Sequence, residues 1–285
     1  MKITGVPAHP EPPFRGKIMM KGFDSFHGKT AMVTGAGTGL GRCFALRLAE
    51  LGATVALAAR RVERLEAVAE EIRAAGGEAL VVPLDIRDGE AVETAVADIV
   101  ERTGRLDILI NNAAGNFVAR AEDITPNGWV AVVNIVLNGS FFCARAAGRR
   151  MLTHGGGKIL NVTASYAWVG GPNTVHSASA KAGLIAMAKT LAVEWGGRNV
   201  QVNCLCPGFV DTEQSREKLW PTPEARQHIL DRVPAKRFGS LEETVEAGVF
   251  LCSEAANYVN GEVFTIDGGE WLNKGALQVP ERGDA

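Results

Sequence analysis

The chain has 285 residues, 46% of them apolar, and 30 Lys and Arg against 32 Asp and Glu leave a net charge of −2. Scattered basic residues and a near-neutral total give no electrostatic footprint for nucleic acid, and no apolar run reaches the ~18–20 residues that a membrane span requires. The proline-rich opening MKITGVPAHPEPPFRGK lacks the apolar core of a secretory signal.

Short β-branched runs alternate with amphipathic stretches from residue 29 onward. TAMVT (30–34), ATVALAA (53–59), ALVVPLD (79–85), LDILINN (106–112), KILNVTA (158–164), VQVNCLC (200–206) and EVFTID (262–267) read as strands. Helical spacing appears in 41–52, 61–77 and 90–104; in the second, Val62, Leu65, Val68 and Ile72 recur every three to four residues with charges around the back. Strands that alternate with helices argue for a single doubly wound, Rossmann-type α/β domain over 29–273, a seven-stranded parallel sheet with helices on both faces. Residues 1–28 then form an N-terminal extension and 274–285 a C-terminal tail. The polar stretch from about 207 to 240 interrupts the rhythm after the sixth strand, where such sheets bind ligands, so it reads either as a substrate lid or as a plain surface excursion. Cys204 and Cys206 alternate onto one strand face with no histidine near them in sequence, so the five cysteines read as reduced thiols of a cytoplasmic protein, with no metal site.

The stretch TAMVTGAGTGLGRCFALRLAELG is strand, glycine turn and helix in succession. Gly35, Gly39 and Gly41 permit the tight turn, the approach of backbone to a phosphate and close packing of helix on strand; Gly37, Thr38 and Leu40 belong to the same cradle. The helix N-terminus then offers free N–H groups to an anion. The second strand ends VALAARR, with Ala58 and Ala59 where an NAD site would carry its ribose-binding carboxylate, and Arg60 and Arg61 next. Paired guanidiniums suit a 2′-phosphate, so NADP(H) is the expected cofactor, although Arg61 reads equally as a surface arginine beginning a helix. Asp85 is placed to meet the adenine or to cap the following helix.

With TGAGTGLG, NNAAG, the helix carrying Lys181 and CPG in order, the chain resembles the short-chain dehydrogenase/reductase family from about residue 28 to 272. That resemblance implies further cofactor contacts at Asn112, Lys181, Pro207, Gly208 and Val210. It also implies an Asn, Ser, Tyr, Lys tetrad, of which only Lys181 is present. Val136 falls at the asparagine, Ala164 at the serine, and Ser177 at the tyrosine four residues before the lysine. The same losses, with NNAAGNF (111–117), VLNG (136–139), SASAKAG (177–183), AVEWG (192–196) and DGGEWL (267–272), are similar to the 2,4-dienoyl-CoA reductase branch. In that branch a tyrosine just past the fifth strand serves the site, and Tyr166 matches its place, beside Asn116, Ser177 and Lys181. Phe117, Arg87 and Thr125 match positions of its acyl-CoA subsite. The family also implies a homo-oligomer, usually a tetramer.

The chain holds two tyrosines, Tyr166 and Tyr258, and Tyr258 lies in AANYVNG outside any active-site motif. The chemistry the resemblance implies is hydride transfer to the far carbon of a conjugated dienoyl thioester, with Tyr166 and Asn116 as donors to the thioester oxygen. Two other readings stand beside it: a carbonyl or 3-oxoacyl reductase, and a dinucleotide-binding protein without catalysis.

Overall fold

The computed structural model describes residues 25–218 and 220–273; nearly all of the N-terminal extension and the whole C-terminal tail lie outside them. All seven expected strands form: β1 Thr30–Thr34, β2 Thr54–Ala59, β3 Glu78–Pro83, β4 Ile108–Asn111, β5 Gly157–Val162, β6 Val200–Pro207 and β7 Val263–Ile266. They pair in parallel in the order β3-β2-β1-β4-β5-β6-β7. The order reverses direction between β1 and β4, so a crevice opens above their carboxyl ends, the place where open α/β sheets bind ligands.

Alternation along the strands sends side chains to two separate cores. Ala31, Val33, Val55 and Leu57 face one side, where α1 (Gly39–Glu50), α2 (Val62–Ala74) and α10 (Leu241–Cys252) contribute Phe44, Leu48, Leu65, Ile72 and Val249. Met32, Ala56 and Leu109 face the other, against α3 (Gly89–Thr103), α5 (Gly139–Met151) and α7 (Val175–Gly196), which contribute Ile99, Met151 and Ile185. Burial on both faces is why the strands read as continuous apolar runs rather than as strict alternation.

Two features differ from the sequence reading. The helix α4 (Pro126–Val133), a π-helical turn (Asn134–Asn138) and α5 run on as one helix from Pro126 to Met151, long and apolar enough by length and composition to cross a membrane. Val132, Val136, Cys143, Ala147 and Met151 are instead buried in this fold, as in the core helix of a two-faced sheet. The 207–240 stretch is no bare loop, since it holds α8 (Glu213–Lys218) and α9 (Pro223–Arg232). A bridge from Val210 to Gly239 closes its base, and Asp211 accepts hydrogen bonds from Arg216 and Arg226 at 2.9–3.1 Å. Those two guanidiniums hold the Asp211 carboxyl down to about 2.

Candidate active site

At the switch point β1 runs through its glycine turn directly into α1. Gly35 has φ +68°, and a Cβ there would lie 3.0 Å from Asn112 Nδ2; a Cβ on Gly41 would collide with the Gly35 carbonyl. Asn112 braces the turn, donating through Nδ2 to the Thr34 carbonyl at 3.0 Å, while the backbone N–H groups of Asn112 and Ala113 donate to Thr34 Oγ1 at 3.0 Å. Thr38 makes no side-chain cap on α1, and Thr38, Gly39 and Leu40 line the crevice, so the start of that helix lies at the crevice with its first-turn donors uncapped by Thr38, as an anion site requires. A crevice of about 390 Å³ is lined here by Gly35, Gly37, Thr38, Gly39 and Leu40, by Ala58 to Arg61, and by Asp85 and Asn112.

Arg64, one turn into α2, joins Arg60 and Arg61 on the same rim. Three guanidiniums and no carboxylate at the end of β2 fit a 2′-phosphate better than a 2′-hydroxyl. Asp85 does line the crevice, but its carboxylate is engaged by Arg87, whose Nε donates at 2.9 Å; that bond holds the carboxyl below its ordinary range. Arg87 is therefore tied to the nucleotide side by its own neighbour.

Beyond β5 the chain turns at Ala164 and Ser165 into the short helix α6 (Tyr166–Val169). The Tyr166 hydroxyl lies 3.1 Å from Ser177 Oγ, so the structure brings the displaced phenol onto the helix that carries Lys181. Burial pushes the Tyr166 phenol above its usual range, partly offset by the Ser177 bond. Lys181 is buried, and its ammonium donates to the Val162 carbonyl at the end of β5. Burial lowers that ammonium to about 8. Ser177 and Lys181, four residues apart, share one face of α7.

Tyr166 opens on a cleft of about 730 Å³, walled mainly by apolar groups such as Val169, Pro172, Phe209, Trp220 and Leu241. Pro207, Gly208 and Val210 also line it, and Leu40 and Thr212 border both this cleft and the nucleotide crevice, so the two are adjacent. At one rim Ser165 Oγ donates to Glu270 at 3.3 Å, and Arg232, at the end of α9, lies 3.6 Å from the other oxygen of that carboxylate. Trp168 of α6 stacks on Trp271, with ring centroids 5.5 Å apart.

Comparison with known proteins identifies the family. A family model described as enoyl-(acyl carrier protein) reductase matches residues 35–270. This chain belongs to the short-chain dehydrogenase/reductase family. It is 43% identical over 247 residues to a Bacillus subtilis protein named "Probable 2,4-dienoyl-CoA reductase [(2E)-enoyl-CoA-producing]", covering 86% of this chain and 97% of the relative. It is 36% identical over 243 residues to the 3-oxoacyl-[acyl-carrier-protein] reductase of Thermotoga maritima, covering 85% and 97%. Among solved structures, a gluconate 5-dehydrogenase from Burkholderia cenocepacia J2315, in complex with NADP and tartrate, superposes with a TM-score of 0.83 at 31% identity, over 87% of this chain and 98% of that one.

Within this fold Phe117 and Thr125 meet at Gly128, and neither they nor Asn116 line the cleft onto which Tyr166 opens. Asn116 is exposed, its Oδ1 accepts the Phe117 N–H at 2.9 Å, and no hydrogen bond joins it to Tyr166, Ser177 or Lys181 among the described residues. Thr125 Oγ1 accepts the Gly128 N–H at 3.1 Å and so caps α4. Phe117 stands edge-on against His176, with centroids 4.4 Å apart. Sequence reading missed Arg64, Ser165, Trp220, Arg232 and Glu270. Only Arg64 carried a signal, since it lies one helical turn beyond the arginine pair.

Proposed function

We propose that this short-chain dehydrogenase/reductase is an NADPH-dependent reductase of conjugated 2,4-dienoyl-CoA thioesters. The observation that carries the reading is Tyr166, which lines the cleft and whose hydroxyl lies 3.1 Å from Ser177 on the Lys181 helix. A carbonyl reductase needs its acid beside the carbon that accepts hydride. In a dienoyl thioester the oxygen that gains charge lies several bonds from that carbon, so its donor belongs further out. A phenol on α6 rather than on α7 meets that need.

The dinucleotide, when bound, supplies the hydride. Gly35 to Gly41 and the first-turn donors of α1 would hold its diphosphate, and Arg60, Arg61 and Arg64 its 2′-phosphate. Lys181 would hold the nicotinamide ribose and, as a cation, favour negative charge on nearby oxygens. Tyr166 would donate to the thioester oxygen as it becomes an enolate, an interaction that strengthens along the reaction path and so accelerates it. Asn116 reaches the same oxygen only if the segment around residue 116 moves inward. Ser177 orients the phenol but is too weak an acid to replace it. Burial raises the phenol above its usual range, which favours the protonated form that a donor must have.

The likeness to a named dienoyl-CoA reductase supports this substrate class; the 36% identity to a 3-oxoacyl reductase supports the alternative of a carbonyl substrate. The test is NADPH oxidation with hexa-2,4-dienoyl-CoA beside a 3-oxoacyl-CoA. Turnover of the dienoyl thioester is expected, and turnover of the 3-oxo substrate alone refutes the reading. We place the enzyme in the cytoplasm as a homotetramer. The exposed apolar side chains Trp129, Val130 and Phe141 on α4 and α5, with Val193 on α7, support self-association.

A further inference from the structure

His176, the second residue of α7, is completely buried, yet neither Nδ1 nor Nε2 has a hydrogen-bond partner. A neutral imidazole carries one donor and one acceptor. Leaving such groups buried and unpaired is costly, so packing alone would be served better here by leucine. The side chain adjoins the site from two directions. Ser177, the next residue, holds the Tyr166 hydroxyl, and the ring faces Phe117, which follows Asn116.

The cover over the imidazole is one side chain thick on that side. Phe117 is 41% exposed and lies in a segment, residues 112–120, with no regular secondary structure. That segment is joined to the turn before α7 by the Ala119 N–H, which donates to the Asn173 carbonyl at 3.1 Å. Rotation of Phe117 about its side-chain bonds leaves this link intact and opens His176 toward the wall that carries Asn116.

We propose that His176 is a further substrate-binding residue: an acyl-CoA displaces Phe117, and the amide next to the thioester sulfur pairs with the exposed imidazole. An amide supplies a donor and an acceptor, as the neutral imidazole does, whereas the thioester itself supplies only an acceptor. This inference rests on the acyl thioester reading above.

The test uses hexanoyl-CoA, a saturated thioester that cannot be reduced, with the NADP⁺-bound enzyme. Wild type is compared with His176→Leu, which removes both nitrogens, and His176→Asn, which keeps a donor and an acceptor. Imidazole resonances are followed by NMR, with the His176 signal assigned by its loss in the leucine variant. Hexanoyl-CoA is expected to shift the His176 resonance, and leucine to weaken hexanoyl-CoA binding by between about twofold and tenfold, the range one neutral hydrogen bond commands. Asparagine should recover part of that loss. The melting temperature of the leucine variant should equal or exceed that of wild type, a sign that a structural histidine would reverse. If hexanoyl-CoA binds equally to all three proteins and the resonance does not move, the inference is overturned while the acyl thioester reading stands. If hexanoyl-CoA does not bind to wild type at all, both fall together.

Discussion

Replacing Tyr166 by phenylalanine tests the central chemistry with a small structural disturbance. The ring keeps its place between α6 and α7, and the change removes one hydroxyl whose described partner is Ser177 Oγ at 3.1 Å. Loss of such a neutral bond costs about 0.5–1.5 kcal/mol of stability, against a total of roughly 5–15 kcal/mol for a domain, so the variant remains folded. Its effect on turnover is expected to be larger. A donor aimed at a developing oxyanion is worth ~10²–10³ in rate, or roughly 3–4 kcal/mol. The assay is NADPH oxidation with hexa-2,4-dienoyl-CoA, with NADPH affinity measured separately by fluorescence. A loss of two to three powers of ten in kcat (roughly, by the same magnitude) with unchanged NADPH affinity is expected. Wild-type turnover in Tyr166→Phe would refute the reasoning, because Tyr258, the other tyrosine, is fully exposed outside the cleft.

Removing the guanidinium of Arg61 or of Arg64 should raise KM for NADPH by about 10- to 100-fold, the scale of a hydrogen bond to a charged group, and leave KM for NADH unchanged; equal effects on both cofactors would remove the 2′-phosphate assignment. Gly41→Ala should abolish NADPH binding, as followed by fluorescence titration, because its Cβ has no room beside the Gly35 carbonyl and Asn112. Lys158 is buried with no hydrogen-bond partner for its ammonium, and burial lowers it to about 8. Since the unfolded side chain titrates near 10.4, the unfolded state binds more protons between these values and wild-type stability rises with pH across that window. Lys158→Met should therefore be the more stable protein in urea denaturation at pH 7, by roughly 1–3 kcal/mol, with the advantage shrinking from about pH 8 upward; a constant gap would refute the burial argument.

The strands were legible because burial on both faces leaves an uninterrupted apolar run, and the turn at Gly35 to Gly41 because few other side chains fit it. Lys181 and Ser177 were legible from their spacing on α7. The position of Tyr166 relative to them was legible only from the family resemblance, since the turn from β5 to α6 sets it and periodicity carries no information about turns. The wall formed by Ser165, Arg232 and Glu270 joins residues far apart in the chain, a pairing that no local pattern encodes. Asn116 shows the opposite limit: its place after β4 was readable, whereas its exposed orientation depends on its bond to the Phe117 N–H. The two helices of the 207–240 stretch were obscured by a high proportion of polar residues.

The stacked indoles of Trp168 and Trp271 give this fold an optical readout of its own. Trp168 lies two residues past Tyr166 on the same short helix, and Trp271 sits in the chain's last described turn. Aromatic rings in such contact couple their electronic transitions, so circular dichroism in the indole bands would register whether α6 is docked or swung out. The posture of the phenol could then be followed in solution without adding a label.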